Sequence, residues 1–287
     1  MQRIKQILRL TLLAVLALFT CWVLWFMVMG VFTPRDELLA TIAPALEEHP
    51  ARQAVWSILP SWPTLQPLVE LLLDTPMFFV MFWNTCKLVF PQVVGQLLIA
   101  APAAWAFSKI PFRGQKLLYG LYLLLMVLPF QITMVPNYLV LDRLSLMDTA
   151  FAVILPGMFS TFPVFIIKKA FDSVPDALLE AAALDGTGPL HIFFSIGLPL
   201  GLPGILSAAV LAFIDSWNAI EQPMMFLKDK ANWPLSLYLS NITVDDLGLT
   251  MGASLMMLAP PLLLFLAGEK YLQQGIGLSA GSTDGMG

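Results

Sequence analysis

The chain has 287 residues, of which 58% are hydrophobic and 12% charged, about half the charged share of a soluble domain. A water-soluble fold of this length cannot hide so much apolar surface, so lipid must be its solvent. Composition excludes disorder, collagen and a disulfide scaffold, and a net charge of −4 offers no basic face to nucleic acid.

Charges cut the chain into apolar segments, and about 20 such residues are needed to cross a bilayer as a helix. Leu10 to Phe32 is uncharged. Arg3, Lys5 and Arg9 precede it as they would a signal peptide, but the segment is too long for one and reads as a retained helix. Thr33 to Asp74 is an acidic loop with Glu47, Glu48, Glu70 and Asp74. Its apolar clusters at Leu39–Leu46 and Val55–Leu59 suit short surface helices, as a lid or as a docking platform. A second span runs from near Met77 to Ser108 with Lys87 inside it, a third from Leu117 to Leu141 and a fourth from Thr149 to Ile167. A fifth runs from about Leu198 to about Phe226, and a sixth from Leu247 to Gly268. Strand-type alternation is absent, which excludes an outer-membrane barrel. The expectation is an all-α polytopic membrane protein of six transmembrane helices. Cys21 and Cys86 fall in apolar stretches as small hydrophobes.

With the N-terminus inside, the inner segments hold nine cationic residues: Arg3, Lys5, Arg9, Lys109, Arg113, Lys116, Lys168, Lys169 and Lys270. The outer segments hold five: Arg35, Arg52, Arg143, Lys228 and Lys230. The positive-inside rule therefore puts both termini in the cytoplasm.

The segment between spans four and five carries most information. Pro175 sits where a helix can start, Asp176 suits the positive end of its dipole, and Ala177 to Leu184 are strong helix formers. Gly186 is placed to end that helix in the left-handed conformation, and Gly188-Pro189 restarts the chain in a new direction. Ala181 and Ala182 keep the helix slim enough for a groove on another protein, with Glu180 and Asp185 free to meet basic groups there. An ordinary amphipathic connector with solvated acids is the alternative.

Glu180-Ala181-Ala182-x-x-Asp185-Gly186, followed by Ile196-x-Leu198-Pro199-Leu200-x-x-Pro203, resembles the EAA loop of ABC-importer inner-membrane permeases, in the form of the carbohydrate-uptake (maltose-type) branch. The resemblance extends to Asn84-Thr85, Ala100–Ala106, Leu128-Pro129 through Val135-Pro136, Leu146-Met-Asp148-Thr149 and Ser216-Trp217-Asn218, covering about Leu59 to Gly277. Hydropathy and the cation count, with the resemblance over the later spans, divide the chain into a cytoplasmic N-terminus (1–9), a first span (10–32), an extracytoplasmic loop (33–75), a permease core (76–271, with the EAA loop at 172–203) and a cytoplasmic tail (272–287); the first span and its loop are only generically similar to the family. The resemblance also implies that Glu180, Ala181, Ala182, Asp185 and Gly186 couple to an ATPase, while Pro199 and Pro203 shape the turn into the fifth span. The implied partners are two ATP-binding subunits, a second and different permease chain, an extracytoplasmic solute-binding protein and the bilayer of a prokaryotic plasma membrane. The family often has a Lys-Gly pair in its Gly-rich tail; no Lys follows Lys270 here.

No Gly-x-x-x-x-Gly-Lys-Ser/Thr pattern is present, so ATP would be bound by partner subunits, with no cofactor, metal or catalytic residue in this chain. Asp215, Ser216, Trp217 and Asn218 near the end of the fifth span, with Glu221 beyond them, are candidates for lining a sugar pathway; helix–helix hydrogen bonding is the alternative. Asn84 and Lys87 read as interfacial or helix-bonded. His191 has no partner at metal-ligand spacing. Prolines 102, 129, 156, 163, 260 and 261 all fall within spans, where each can kink its helix. An ion-coupled secondary transporter is the rival reading, with Asp215 and Glu221 as its carboxylates.

Overall fold

The computed structural model describes residues 2–46, 59–240 and 247–280, and helices are the regular structure throughout them. In chain order they are α1 (Gln2–Val31), α2 (Arg35–Leu46), α3 (Gln66–Val69), α4 (Pro76–Lys109), α5 (Gln115–Val127), α6 (Phe130–Arg143), α7 (Ala150–Met158) and α8 (Phe162–Asp172). There follow α9 (Asp176–Leu184), α10 (Pro189–Ile192), α11 (Leu198–Trp217), α12 (Glu221–Phe226), α13 (Leu235–Leu239) and α14 (Leu247–Ala280). Among the described residues five helical stretches are long and apolar enough to cross a membrane: Lys5–Val31, Pro76–Lys109, Ala150–Asp172, Pro189–Trp217 and Leu247–Gln274. The bent pair α5–α6 makes a sixth if it counts as one crossing.

The expected third span is continuous from Leu117 to Leu141; the structure breaks it by 100° between α5 and α6. Pro129 is the cause. It has no N–H to give, and its ring forces Leu128 out of the helical region, to φ −67° and ψ 126°. Pro163 acts more mildly in the fourth span, where Phe159–Thr161 interrupt the helix between α7 and α8. The fifth span starts and ends earlier than hydropathy suggests. Its helix is continuous from Pro189 to Trp217, and Ala219–Phe226 leave it. The sixth helix runs through the residues expected to form a tail, as far as Ala280. Of the surface clusters in the first loop, Leu39–Leu46 is helical within α2, and Val55–Leu59 lies, apart from Leu59, outside the described residues.

The chain divides into two compact units, Met1–Val80 with Tyr238–Ala259, and Met81–Leu237 with Pro260–Gly287. In the first, α1 is exposed along Lys5–Trp25 and buries only its end, around Val31. Gly30 lets the Met251 thioether lie where a Cβ would stand. The Glu37 carboxylate accepts from the Ser61 backbone N–H and hydroxyl, fixing the chain after the first loop to α2.

The second unit is held by small residues at helix crossings, which is how helices pack where lipid removes the hydrophobic drive between them. A Cβ on Gly204 would stand 2.2 Å from the Ala170 methyl, and one on Gly201 2.3 Å from the Phe171 ring, so α11 and α8 meet almost backbone to backbone. Gly268 of α14 seats Val210 of α11 in the same manner, and the Ser207 hydroxyl donates to the Tyr271 carbonyl at 2.6 Å. One core cluster joins α4, α8 and α11 through Ala104, Trp105, Val164, Ile167, Phe171 and Ala208, with Phe193 from just ahead of α11 and Trp105 edge-on to Phe171 at 5.1 Å. The same unit leaves Leu98, Leu117, Leu124, Val127 and Leu263 exposed, apolar surface that acyl chains or another subunit can solvate.

Candidate functional site

The hairpin α9–α10 is built by local chemistry. Pro175 is extended, at φ −63° and ψ 130°, and hands the chain into α9 with Asp176 in the first turn. The far end closes in a Schellman motif. The Thr187 N–H reaches the Ala182 carbonyl at 3.1 Å and the Gly186 N–H reaches Ala183 at 3.0 Å, with Gly186 at φ +81°. A Cβ there would touch nothing within 4 Å, so backbone conformation and not crowding selects glycine.

Only one stripe of α9 faces the protein. Leu179 and Ala182 pack on the core cluster, and no α9 residue is buried. Glu180, Ala181 and Asp185 are exposed, together with Leu178 and Leu184. Leu184 is 89% exposed, and Leu190 on α10 is 74% exposed. The hairpin therefore exposes apolar side chains beside the carboxylates of Glu180 and Asp185. The motif reading names the acids and the alanines; it overlooks Leu184 and Leu190, whose exposure depends on how far α9 rolls against α4.

The hairpin is tied to the end of α4. Lys109 Nζ, its side chain 8% exposed, donates to the Val174 carbonyl and to Asp176 Oδ1, each at 2.7 Å. One residue earlier, the Ser108 hydroxyl donates to Asp172 Oδ1 at 2.6 Å, and Lys168 pairs with the same carboxylate at 2.7 Å. Sequence reasoning uses Lys109 only as an inside charge and Asp176 only as a helix-dipole partner. The contact joins residues 67 apart in the chain, and no local signal announces it.

Pro199 and Pro203, expected at a turn, lie inside the helix that runs from Pro189 to Trp217. A π turn at Phe193–Gly197, in which the Leu198 N–H reaches back to Phe193, widens the helix just ahead of Pro199 and accommodates its ring. The hairpin's second arm and the fifth span are thus one rod.

At the other end of α11 the four candidate pathway residues separate. Trp217 is 1% exposed, stacked on Phe213 and edge-on to Phe82. Ser216 is buried and accepts from Gln92 Nε2 at 2.9 Å. Asp215 and Asn218 are exposed, with Asn218 Nδ2 donating to the Ile214 carbonyl. The structure thus adds buried Gln92 and Gln96 of α4 to the polar groups within the spans; Gln96 Nε2 donates to the Gly157 carbonyl at 2.7 Å, while its Oε1 has no partner among the described residues.

The loops at that end are cross-tied. Asp148 accepts from the Lys228 and Asp229 backbone N–H groups at 2.9 and 3.0 Å, and its own N–H donates to the Phe226 carbonyl. The bond from Asp229 is the main cause of a carboxyl held below the usual range, with desolvation opposing it. Asn84 donates to the Ala231 and Trp233 carbonyls, and the Thr85 hydroxyl accepts from the Leu235 N–H, so the early part of α4 also grips the segment after α12.

Comparison with known proteins adds three findings. Residues 96–269 match the family described as "Binding-protein-dependent transport system inner membrane component". Two similar curated proteins are the arabinooligosaccharides transport system permease protein AraQ of Halalkalibacterium halodurans and the inner membrane ABC transporter permease protein YcjP of Escherichia coli. The first is 27% identical over 86% of this chain and 89% of its own length; the second is 28% identical over 93% and 96%. A solved bacterial ABC transporter involved in the import of the acidic polysaccharide alginate superposes with a TM-score of 0.77 over 94% of this chain and 96% of the matched one, at 21% identity, a likeness of fold.

Proposed function

The chain belongs to the binding-protein-dependent transport system inner membrane components, and from that premise we propose that it forms half of the translocation pathway of an importer for a sugar or sugar-like solute. It is a permease subunit of an ABC importer, a multi-pass bacterial inner-membrane protein that is not itself an enzyme; ATP is handled by partner ATPase subunits, and a solute-binding protein delivers the cargo. The carbohydrate assignment is supported by the relative that carries arabinooligosaccharides and by the Asp-Gly and Leu-Pro-Leu-x-x-Pro form of the loop. The reading that both termini are cytoplasmic is supported by nine inner cations against five outer ones. A second, different permease chain completes the pathway.

The observation that carries the coupling role is the hairpin. A slim helix, closed by a left-handed glycine, offers Glu180, Ala181, Asp185 and Gly186 in a shape that fits a cleft, with Ala182 keeping the helix close to the core behind them, and its second arm continues unbroken into the fifth span. Rigid elements of this kind convert movement of a docked subunit into rotation of a span. Asp215 and Asn218 are the exposed polar groups best placed to meet solute at the end of α11, while Ser216 and Trp217 set the packing behind them.

The test is to purify the chain with its neighbours and reconstitute it with its solute-binding protein and labelled arabinotriose, maltotriose and lactose. Co-purification of an ATPase and ATP-dependent accumulation of one of these sugars is the expected result. An ion-coupled carrier would instead accumulate solute on a proton or sodium gradient with no ATPase bound.

A further inference from the structure

We infer that Lys109, at the end of the second span, is a positioning residue of the transport cycle that carries load from the α9 hairpin into α4. The inference rests on the coupling role proposed for that hairpin. A docked helix that is pulled hands its movement to the membrane helices through its two chain junctions and through whatever fixes those junctions to neighbouring helices. Covalently, α9 continues into α8 on one side and into the α10–α11 rod on the other. Nothing in the chain order connects it to α4. Beside the packing of Leu179 and Ala182 on the core cluster, Lys109 supplies a hydrogen-bonded third connection. Its stem is buried, and its ammonium grips the carbonyl of Val174, itself 4% exposed, just before α9 begins.

The second bond from Lys109, to Asp176, differs in kind. Asp176 is 75% exposed, and a pair with one partner in water contributes little. The bond to the Val174 carbonyl is the one that transmits. Ser108 and Lys168 on Asp172 brace the end of α8 beside it. The same helix α4 grips the segment after α12 at its early end, through Asn84 and Thr85. A pull on the hairpin therefore has a helix-long path to the opposite loops that does not pass through α11.

The experiment uses the assembled complex in proteoliposomes, with the labelled arabinotriose, maltotriose and lactose panel and its solute-binding protein, and measures ATP hydrolysed per sugar accumulated. Lys109→Gln should raise that ratio at least about fivefold, the lower end of a coupling between two sites, with the ATPases still bound. Asp176→Asn should stay within about twofold, as an exposed pair requires. Lys109→Arg, which keeps the charge and several donors, should also stay close to wild type. The inference is overturned if Lys109→Gln leaves the ratio unchanged, or if uptake and hydrolysis fall in proportion, as a merely structural role would produce. Loss of the ATPases from Lys109→Gln, equal damage by Asp176→Asn, or an arginine as poor as the glutamine also overturns it. If the wild-type complex accumulates none of the panel, the proposed cargo falls and the inference with it, an outcome distinguished by the wild type itself.

Discussion

Gly186→Val isolates the conformational demand of the hairpin. At φ +81° the backbone is left-handed, a region that costs an L-residue with a side chain roughly 1–2 kcal/mol. No steric contribution is added, because a Cβ at this position finds nothing within 4 Å. If the chain escapes the strain by leaving the left-handed region, it gives up the Thr187–Ala182 and Gly186–Ala183 bonds and redirects α10. Either way the equilibrium between the docking shape and its competitors shifts against it by a factor of roughly 5–30 for that energy. ATP-dependent uptake in proteoliposomes should fall by that factor, with membrane insertion unchanged. Gly186→Asn is the control, since asparagine tolerates the left-handed region far better than valine does. A valine variant that transports at wild-type rates, or an asparagine variant worse than the valine, would refute the reasoning.

Glu180→Lys reverses an exposed charge on the hairpin without touching the core; it should weaken ATPase retention on co-purification and lower uptake, with insertion intact. Gly204→Val inserts atoms where a Cβ already stands 2.2 Å from the Ala170 methyl, so overpacking should cost about 1–3 kcal/mol and lower the unfolding temperature in detergent, and Ala170→Gly should recover part of that loss. Asp148 provides a pH test. Its carboxyl is depressed chiefly by the Asp229 N–H, so its contribution is complete above the unfolded value of about 3.9 and is lost as pH falls through the lower folded value; Asp148→Asn should lower stability at neutral pH, flatten the acid limb of a stability–pH curve and converge with wild type at the acid end.

Much of this fold was legible because charge and hydropathy mark where lipid begins and ends. The second span is the clearest case, expected from near Met77 to Ser108 and found as Pro76–Lys109. What escaped was set by backbone geometry that hydropathy does not register. Leu117 to Leu141 is apolar throughout its first half, so only Pro129 signals the 100° bend, and the same residue type at Pro102 and Pro203 sits inside long helices without breaking them. The turn expected at Pro199 and Pro203 failed for a related reason: a one-residue widening upstream accommodates a proline that would otherwise end a helix. At the hairpin, local signals gave Pro175, Asp176 and Gly186 their places, because caps are decided within a few residues. The tie from Lys109 to Val174 joins distant parts of the chain and has no local signature. The pathway candidates separated for the reason that helix rotation is fixed by neighbours: Ser216 found Gln92, Trp217 found Phe82 and Phe213, and Asp215 and Asn218 remained outward.

The central claim is that the α9 hairpin docks into an ATPase on the cytoplasmic face. The most direct measurement places a photo-crosslinking residue at Leu184, the most exposed apolar side chain of α9, in native membranes and identifies what it captures. The account predicts a crosslink to a nucleotide-hydrolysing subunit, formed in inverted vesicles and lost in Glu180→Lys. A crosslink only to lipid, to the solute-binding protein, or to any component on the outer face would contradict it.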